Sequence, residues 1–387
     1  MKRIALNLEA PTRRSVLSWL AATPSLWALG CGPAPHPQER RAEAPESKLG
    51  IDAVISVEPL GQRWATEDPF LFCAYHLDGY PAANEKMGPA APLTGRQMGR
   101  DFANKDGWNM YHGRVIPGFP RHPHRGFETV TVVKTGLLDH ADSLGATARY
   151  GNGDVQWLTA GGGIQHAEMF PLLSRNKDNP LELFQIWLNL PAASKMVAPH
   201  FSMLWGNTVQ KIAVKDDLGR KTVITAVAGG FGDVGSPSPP PSSYASSAEA
   251  DVSILTLAME PGAAFTLPAA KKGTRRSLYF YRGKELHVSG KPIAAMHRVV
   301  TRGDADVVLV SGERGADVLV LGGRPIGEPV ARRGPFVMNT DAEIRKAYED
   351  YQRTGFGGWP WPSDDYVHGW EERQFAKRAD GTIERPT

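Results

Sequence analysis

Two pairs of ligand-type side chains stand out in the chain. His122 and His124 lie two residues apart in RHPHRGFETVTV, and His166 and Glu168 lie two apart in GDVQWLTAGGGIQHAEM. On an extended strand, residues two apart point to the same face, so each pair can act as a pincer. Three imidazoles and one carboxylate converging on a point suit a borderline divalent ion such as Fe, Mn, Ni, Cu or Zn, and they leave coordination positions free for a substrate or dioxygen. A lone H-x-H is weak, because alternating polar residues are ordinary on a half-exposed strand. Here a second pair follows a turn-rich interval, with GNGD at 151–154 and TAGGG at 159–163. Glycines at that density supply positive φ angles and let backbone pass close to a ligand.

The elements that must hold these pairs read as short strands. Strand-like runs occur at Asp52–Val57, Phe70–His76, Tyr111–Ile116, Phe127–Thr135, Leu137–His140, Thr147–Tyr150, Asp154–Thr159, Ile164–Met169 and Glu182–Asn189, separated by Gly, Pro or Asn. With 41 Gly and 31 Pro the chain is rich in turns, which fits a barrel or sandwich better than long helices. A second group of strands spans about 209–330, including VSILTLAME, SLYFYRGKELHV, ADVVLVSG and ADVLVLGG. Between these strands the Ser/Pro-rich stretch 235–250 reads as an excursion loop, since Pro removes donors and Ser favours loops. His287 and His297 are isolated, so no second metal site is expected. Thr340 and Glu343 form a capping-box pattern that starts a helix, with Ile344, Ala347, Tyr348 and Tyr351 at helical spacing.

The strings GFPRHPHRGFETVT and GDVQWLTAGGGIQHAEM, together with DPFLFCAYHLD at 68–78 and GGRPIGEPVARRGPFVMNTDAEIRKAYEDYQRTGFG at 322–357, resemble the pirin family of the cupin superfamily. The resemblance runs from about Asp52 to Gly357 and implies an all-β fold: two tandem cupin-type β-barrels, a bicupin, with a short C-terminal helix. It implies metal in the N-terminal barrel, held by His122, His124, His166 and Glu168, with Fe(2+) as the expected ion and Mn, Ni, Cu or Zn as alternatives. Glu128 is a competing carboxylate, because other cupins take a ligand at that distance after H-x-H. In the pirin pattern the second pair supplies it, which leaves Glu128 an orienting or structural role. The resemblance implies a metal-dependent dioxygenase acting with dioxygen on flavonol-like, quercetin-type enolic or catecholic substrates, in which Glu168 also takes the substrate proton. The alternative is a non-catalytic, metal-dependent or redox-sensing regulatory protein.

At 387 residues the chain exceeds the usual size of a single core. The expected organisation is an export signal at 1–31, a disordered tether at 32–50, a metal-binding cupin domain at 51–205, a second cupin domain at 206–335, and a helix with an aromatic tail at 336–387. The balance of 44 basic and 41 acidic residues, with no basic run interleaved with aromatics, gives no nucleic-acid groove. TRRSVL at Thr12–Leu17 approximates a twin-arginine pattern around Arg13 and Arg14, and the apolar stretch Val16–Leu29 is too short for a standard membrane span. Ala28-Leu29-Gly30-Cys31 resembles a lipobox, with Ala28 in place of the usual Leu, so Cys31 is a candidate lipid anchor. The expected location is the bacterial envelope, with the cytoplasm as the alternative. Cys73, in the apolar run FLFCAY, reads as a buried small side chain.

Overall fold

The computed structural model describes residues 52–232 and 234–387; the expected signal, tether and lipid anchor lie outside the described residues. Two β-barrels follow one another. The first is built from β2 (Phe70–Tyr80), β3 (Gly118–His124), β4 (Phe127–Thr135), β5 (Leu137–Asp142), β6 (Thr147–Gly151), β7 (Val155–Thr159), β8 (Ile164–Met169), β9 (Asn179–Asn189) and β10 (His200–Leu204). One of its sheets has the order β10-β7-β4-β9-β2; in the other, β3-β8-β5-β6 continues into Phe375–Lys377 and Ile383–Glu384. The preceding strand β1 (Val54–Pro59) does not join this barrel. It pairs antiparallel with His297–Thr301 at the edge of a seven-stranded sheet in the second, and Ala53 and Val54 pack into that barrel's core. Residues 52–57, expected in the first domain, thus belong to the second barrel, because strand pairing follows free sheet edges and not order along the chain.

Alternation along the strands explains how one strand serves two cores. On β4, Val130 and Val132 pack into a cluster shared with the second barrel, whose members include Trp64, Trp157, Phe184, Ile254, Tyr279 and Leu319. The alternate residue Val133 faces the first barrel's interior with Leu138, Tyr150, Leu158 and Leu183. Both faces of β4 are therefore buried, which is why FETVTVV reads as a nearly continuous apolar and β-branched run. Cys73 lies in the inter-barrel core and is fully buried. At the rim of this contact Lys134, Glu182, Arg282 and Asp317 form a charge network across the two barrels.

Helix α1 (Asp341–Thr354) begins with the expected capping box, Thr340 accepting from the Glu343 backbone and Glu343 from that of Thr340, and it ends at Gly355 in the left-handed conformation. Its Ile344 and Ala347 pack with Phe336, Met338 and Phe356. The run Tyr111–Ile116, expected as a strand, is a turn instead: Tyr111 has φ of 56°, and the backbone folds back on itself so closely that a side chain at Gly113 would strike the Ile116 carbonyl. The aromatic tail lies along the outer face of the second sheet of the first barrel. Arg149, paired with Asp139 at 2.6 Å, donates to the carbonyls of Gly369 and Glu372 there.

Candidate metal centre

The first ligand pair is on β3 and the second on β8, and these two strands are antiparallel neighbours. Their register shifts by one residue between Phe119, opposite Glu168, and His122, opposite His166. Without that bulge His122 would oppose Gln165, whose amide faces outward to the Gly355 and Gly358 carbonyls. An extra residue in one strand turns every later side chain to the other face, so the bulge at Pro120 and Arg121 brings both β3 histidines to the face of His166. The ligand atoms of His122, His124 and His166 lie within 4.8 Å of one another. Their ring centroids are 4.5 to 4.9 Å apart. Among the described residues no second group of three such side chains converges; His287 pairs with Glu285, and His297 bonds the Ala295 carbonyl.

Hydrogen bonding leaves these imidazoles ready to act as ligands. His122 Nδ1 donates to the Pro120 carbonyl at 2.9 Å, which leaves the Nε2 lone pair as the acceptor. His124 Nδ1 and both ring nitrogens of His166 are buried without a partner. An unpaired buried polar group costs on the order of 1–3 kcal/mol, and a ring with two such atoms beside two other imidazoles is the environment a cation relieves. Burial pushes the pKa of His122 down to about 4 and those of His124 and His166 well below the ordinary value, with the neighbouring imidazoles adding to the effect. All three rings are therefore neutral near pH 7, as metal ligation requires. The donor set fits a divalent transition metal.

Glu168 sits beside the triad. Its Oε2 is 3.8 Å from His166 Nε2 and accepts a hydrogen bond from Gln185 Nε2 at 2.7 Å, while Oε1 lies 3.0 Å from the Thr131 hydroxyl. Burial raises its pKa, against the opposing influence of His140 and of the hydrogen bond from Gln185. Glu128 is elsewhere. It is the second residue of β4, on the face of Val130 and Val132, toward the second barrel, where Oε1 accepts from Thr159 and Trp157 and Oε2 from Ser243 of the Ser/Pro-rich loop. The shared parity of His122, His124 and Glu128 does not carry through, because Arg125 and Gly126 turn the chain from one sheet into the other.

The glycines of TAGGG make room for close packing. Gly161 makes room for the Val197 carbonyl, and at Gly163, where φ is 129°, a Cβ would lie 2.7 Å from the Phe356 ring. That ring follows α1, which is itself tied to the site: Arg125, next to His124, pairs with Asp350 of the helix at 3.0 Å and donates to the Gly162 carbonyl at 2.7 Å. Several interior residues escaped the sequence reading, His140 among them. His140, on β5 opposite Glu168, is fully buried with its ring 5.5 Å from that of His166, and its Nε2 is 3.2 Å from Asp142. The only hint was its spacing from Asp142 in the run LLDHAD.

A barrel pair with three neutral imidazoles converging inside the first barrel defines a bicupin with a metal-type centre. Sequence comparison agrees: the family profile Pirin matches residues 85–188, and that of the Pirin C-terminal cupin domain matches 254–357. The chain belongs to the pirin family. A pirin-like protein of Caulobacter vibrioides is 36% identical over 241 residues, covering 62% of this chain and 81% of its own. A Pseudomonas aeruginosa protein named provisionally as a quercetin 2,3-dioxygenase is 34% identical over 239 residues, covering 62% and 79%. Among solved structures, the quercetin 2,3-dioxygenase of Acinetobacter baumannii superposes with a TM-score of 0.62 at 24% identity, covering 79% of this chain and 98% of that one, a likeness of fold.

Proposed function

We propose that the protein is a metal-dependent dioxygenase of flavonol-like, quercetin-type substrates, with His122, His124, His166 and Glu168 holding one divalent ion, Fe(2+) before Mn, Ni, Cu or Zn. The observation that carries the metal is His166, buried with both ring nitrogens unpartnered and facing two further neutral imidazoles. The provisional name of the Pseudomonas aeruginosa relative supports the choice of reaction. When bound, the ion supplies Lewis-acid stabilisation of an enolate and the redox capacity that dioxygen chemistry needs. His122, half-buried where the other two histidines are buried, marks the side from which a substrate reaches the centre. Glu168 receives the substrate's hydroxyl proton on its carboxylate. Because the protein donors bring a single negative charge, an anionic, chelating enolate or catecholate binds far better than its O-methylated analogue.

The test is anaerobic purification with metal analysis, followed by oxygen-electrode assays on a panel of flavonols, catechols and their methyl ethers. Oxygen uptake with ring cleavage for the free enols, and none for the ethers, is expected. Tight binding without oxygen uptake, whichever metal is loaded, would make the protein a metal-dependent binding module instead. We also propose export through the Arg13-Arg14 pair and anchoring at Cys31. Replacing both arginines by Lys is expected to leave the protein in the cytoplasm, and Cys31→Ser to release it from the membrane fraction; an intact Met1 on soluble native protein would refute both.

A further inference from the structure

We infer that Gln185 and Thr131 form a neutral clamp that sets the direction of the Glu168 carboxylate and thereby the affinity of the centre for its ion. The inference rests on the reading of Glu168 as a ligand. Thr131 on β4 lies directly opposite Gln185 on β9, and on its other side opposite Gln156 on β7. This polar row crosses the inner face of the sheet that looks toward β8. Gln185 Nε2 donates at 2.7 Å to Glu168 Oε2, the same oxygen that lies 3.8 Å from His166 Nε2. One lone pair of the oxygen nearest the imidazoles is thus fixed by the amide, and the other is left directed elsewhere.

Thr131 acts at one remove. Its hydroxyl is 2.6 Å from Gln185 Oε1 and 3.0 Å from Glu168 Oε1. A hydroxyl carries one hydrogen, so it cannot donate to both acceptors, and the shorter contact takes it. That bond fixes which end of the Gln185 amide meets the carboxylate. With the amide reversed, its carbonyl oxygen would oppose a carboxylate oxygen, and the orienting bond would become a repulsion. Both clamp residues are neutral, and among the described residues no Lys or Arg forms an ion pair with Glu168. The carboxylate is therefore oriented without having its charge cancelled, which keeps that charge available to a cation. Neighbours that orient a metal ligand commonly change metal affinity or activity 10–100-fold when removed.

Gln156 supplies the control. It is 1% exposed, neither of its side-chain amide atoms has a hydrogen-bond partner, and it shares the row without bonding Glu168. The experiment measures the metal dissociation constant by chelator competition and the absorption spectrum of the Co(II)-loaded protein for wild type, Gln185→Leu, Thr131→Val, Thr131→Ser, Gln156→Leu and Glu168→Ala, with folding checked by circular dichroism. Gln185→Leu is expected to weaken binding by about 10–100-fold and to shift the Co(II) bands. Thr131→Val should move both in the same direction by less, Thr131→Ser should restore them, and Gln156→Leu should leave both unchanged. Should Gln185→Leu not fold, the Thr131 pair alone decides. Wild-type affinity and spectrum in Gln185→Leu and Thr131→Val, while Glu168→Ala loses metal, would overturn the clamp. A Glu168→Ala protein that binds as tightly as wild type would instead overturn the ligand set on which the clamp depends.

Discussion

The two barrels share an architecture and differ in what fills them. The second is packed with Ile224, Leu255, Leu257, Phe265, Leu278, Phe280, Leu309 and Val318, an ordinary apolar core, and its two histidines, His287 and His297, bond separate partners. The first buries Thr131, His140, Gln156, His166 and Glu168 in the corresponding space. Buried polar groups cost free energy unless partnered, and several of these, including His140 Nδ1 and both ring nitrogens of His166, have no partner. A barrel interior that holds several such groups, beside one whose core cluster is apolar, points to a division of labour. The apolar core of the second barrel contributes stability, and the first barrel gives up part of its own to hold the polar cluster around His166.

Substitutions that fill or empty each interior test this contrast. The largest effect is expected in the second barrel, where Phe280, fully buried, lies at the centre of the core. Phe280→Ala should cost about 3–5 kcal/mol, read by urea unfolding, with a fall in soluble yield; a loss below 1 kcal/mol would show that this interior is loosely packed. His166→Ala in the first barrel should behave in the opposite way. Metal content should drop to background while the stability of the metal-free protein changes by no more than about 2 kcal/mol, because the deleted ring has no hydrogen bonds to lose. Full metal occupancy in that variant would remove the centre from the first barrel.

A pH-dependent effect is expected where the barrels meet. Burial raises the pKa of Glu128 to about 7, although bonds from Ser243, Thr159 and Trp157 pull it down. The folded state thus holds this proton more tightly than the unfolded chain, whose Glu titrates near pH 4.5. Stability should fall as pH rises between those two values and level off above them, with a slope of at most about 1.4 kcal/mol per pH unit. Glu128→Gln should remove that slope from unfolding curves measured between pH 5 and 8. Parallel curves for the two proteins would mean that the carboxyl titrates normally and that the inter-barrel core is wetter than its packing indicates. Metal content should be the same in both, since Glu128 faces away from the triad.

Much of this organisation could be read in one dimension. The two-residue spacings of His122 with His124 and of His166 with Glu168 marked strand-borne pairs that each share a face, and the three imidazoles do come together. The apolar runs of the second half marked a second barrel, and the Thr340–Glu343 pair marked the start of the helix, because capping is a contact between residues three apart. Such features are local: periodicity and capping depend on neighbours a few residues away, and sequence displays those directly.

What the tertiary structure decided depends on residues far apart in the chain. The edge strand β1 crosses to the second barrel because a free sheet edge lies there. Glu128 turns to the inter-barrel core because two residues, Arg125 and Gly126, carry the chain from one sheet to the other. The bulge at Pro120 and Arg121, invisible in the pattern, puts His122 opposite His166 and not Gln165. Thr131, Gln185 and His140 carry no motif at all, and they gather around Glu168 only through cross-strand register. Sequence determined which side chains could do chemistry; register, which moves every side chain of a strand from one face to the other with a shift of a single residue, determined which of them meet.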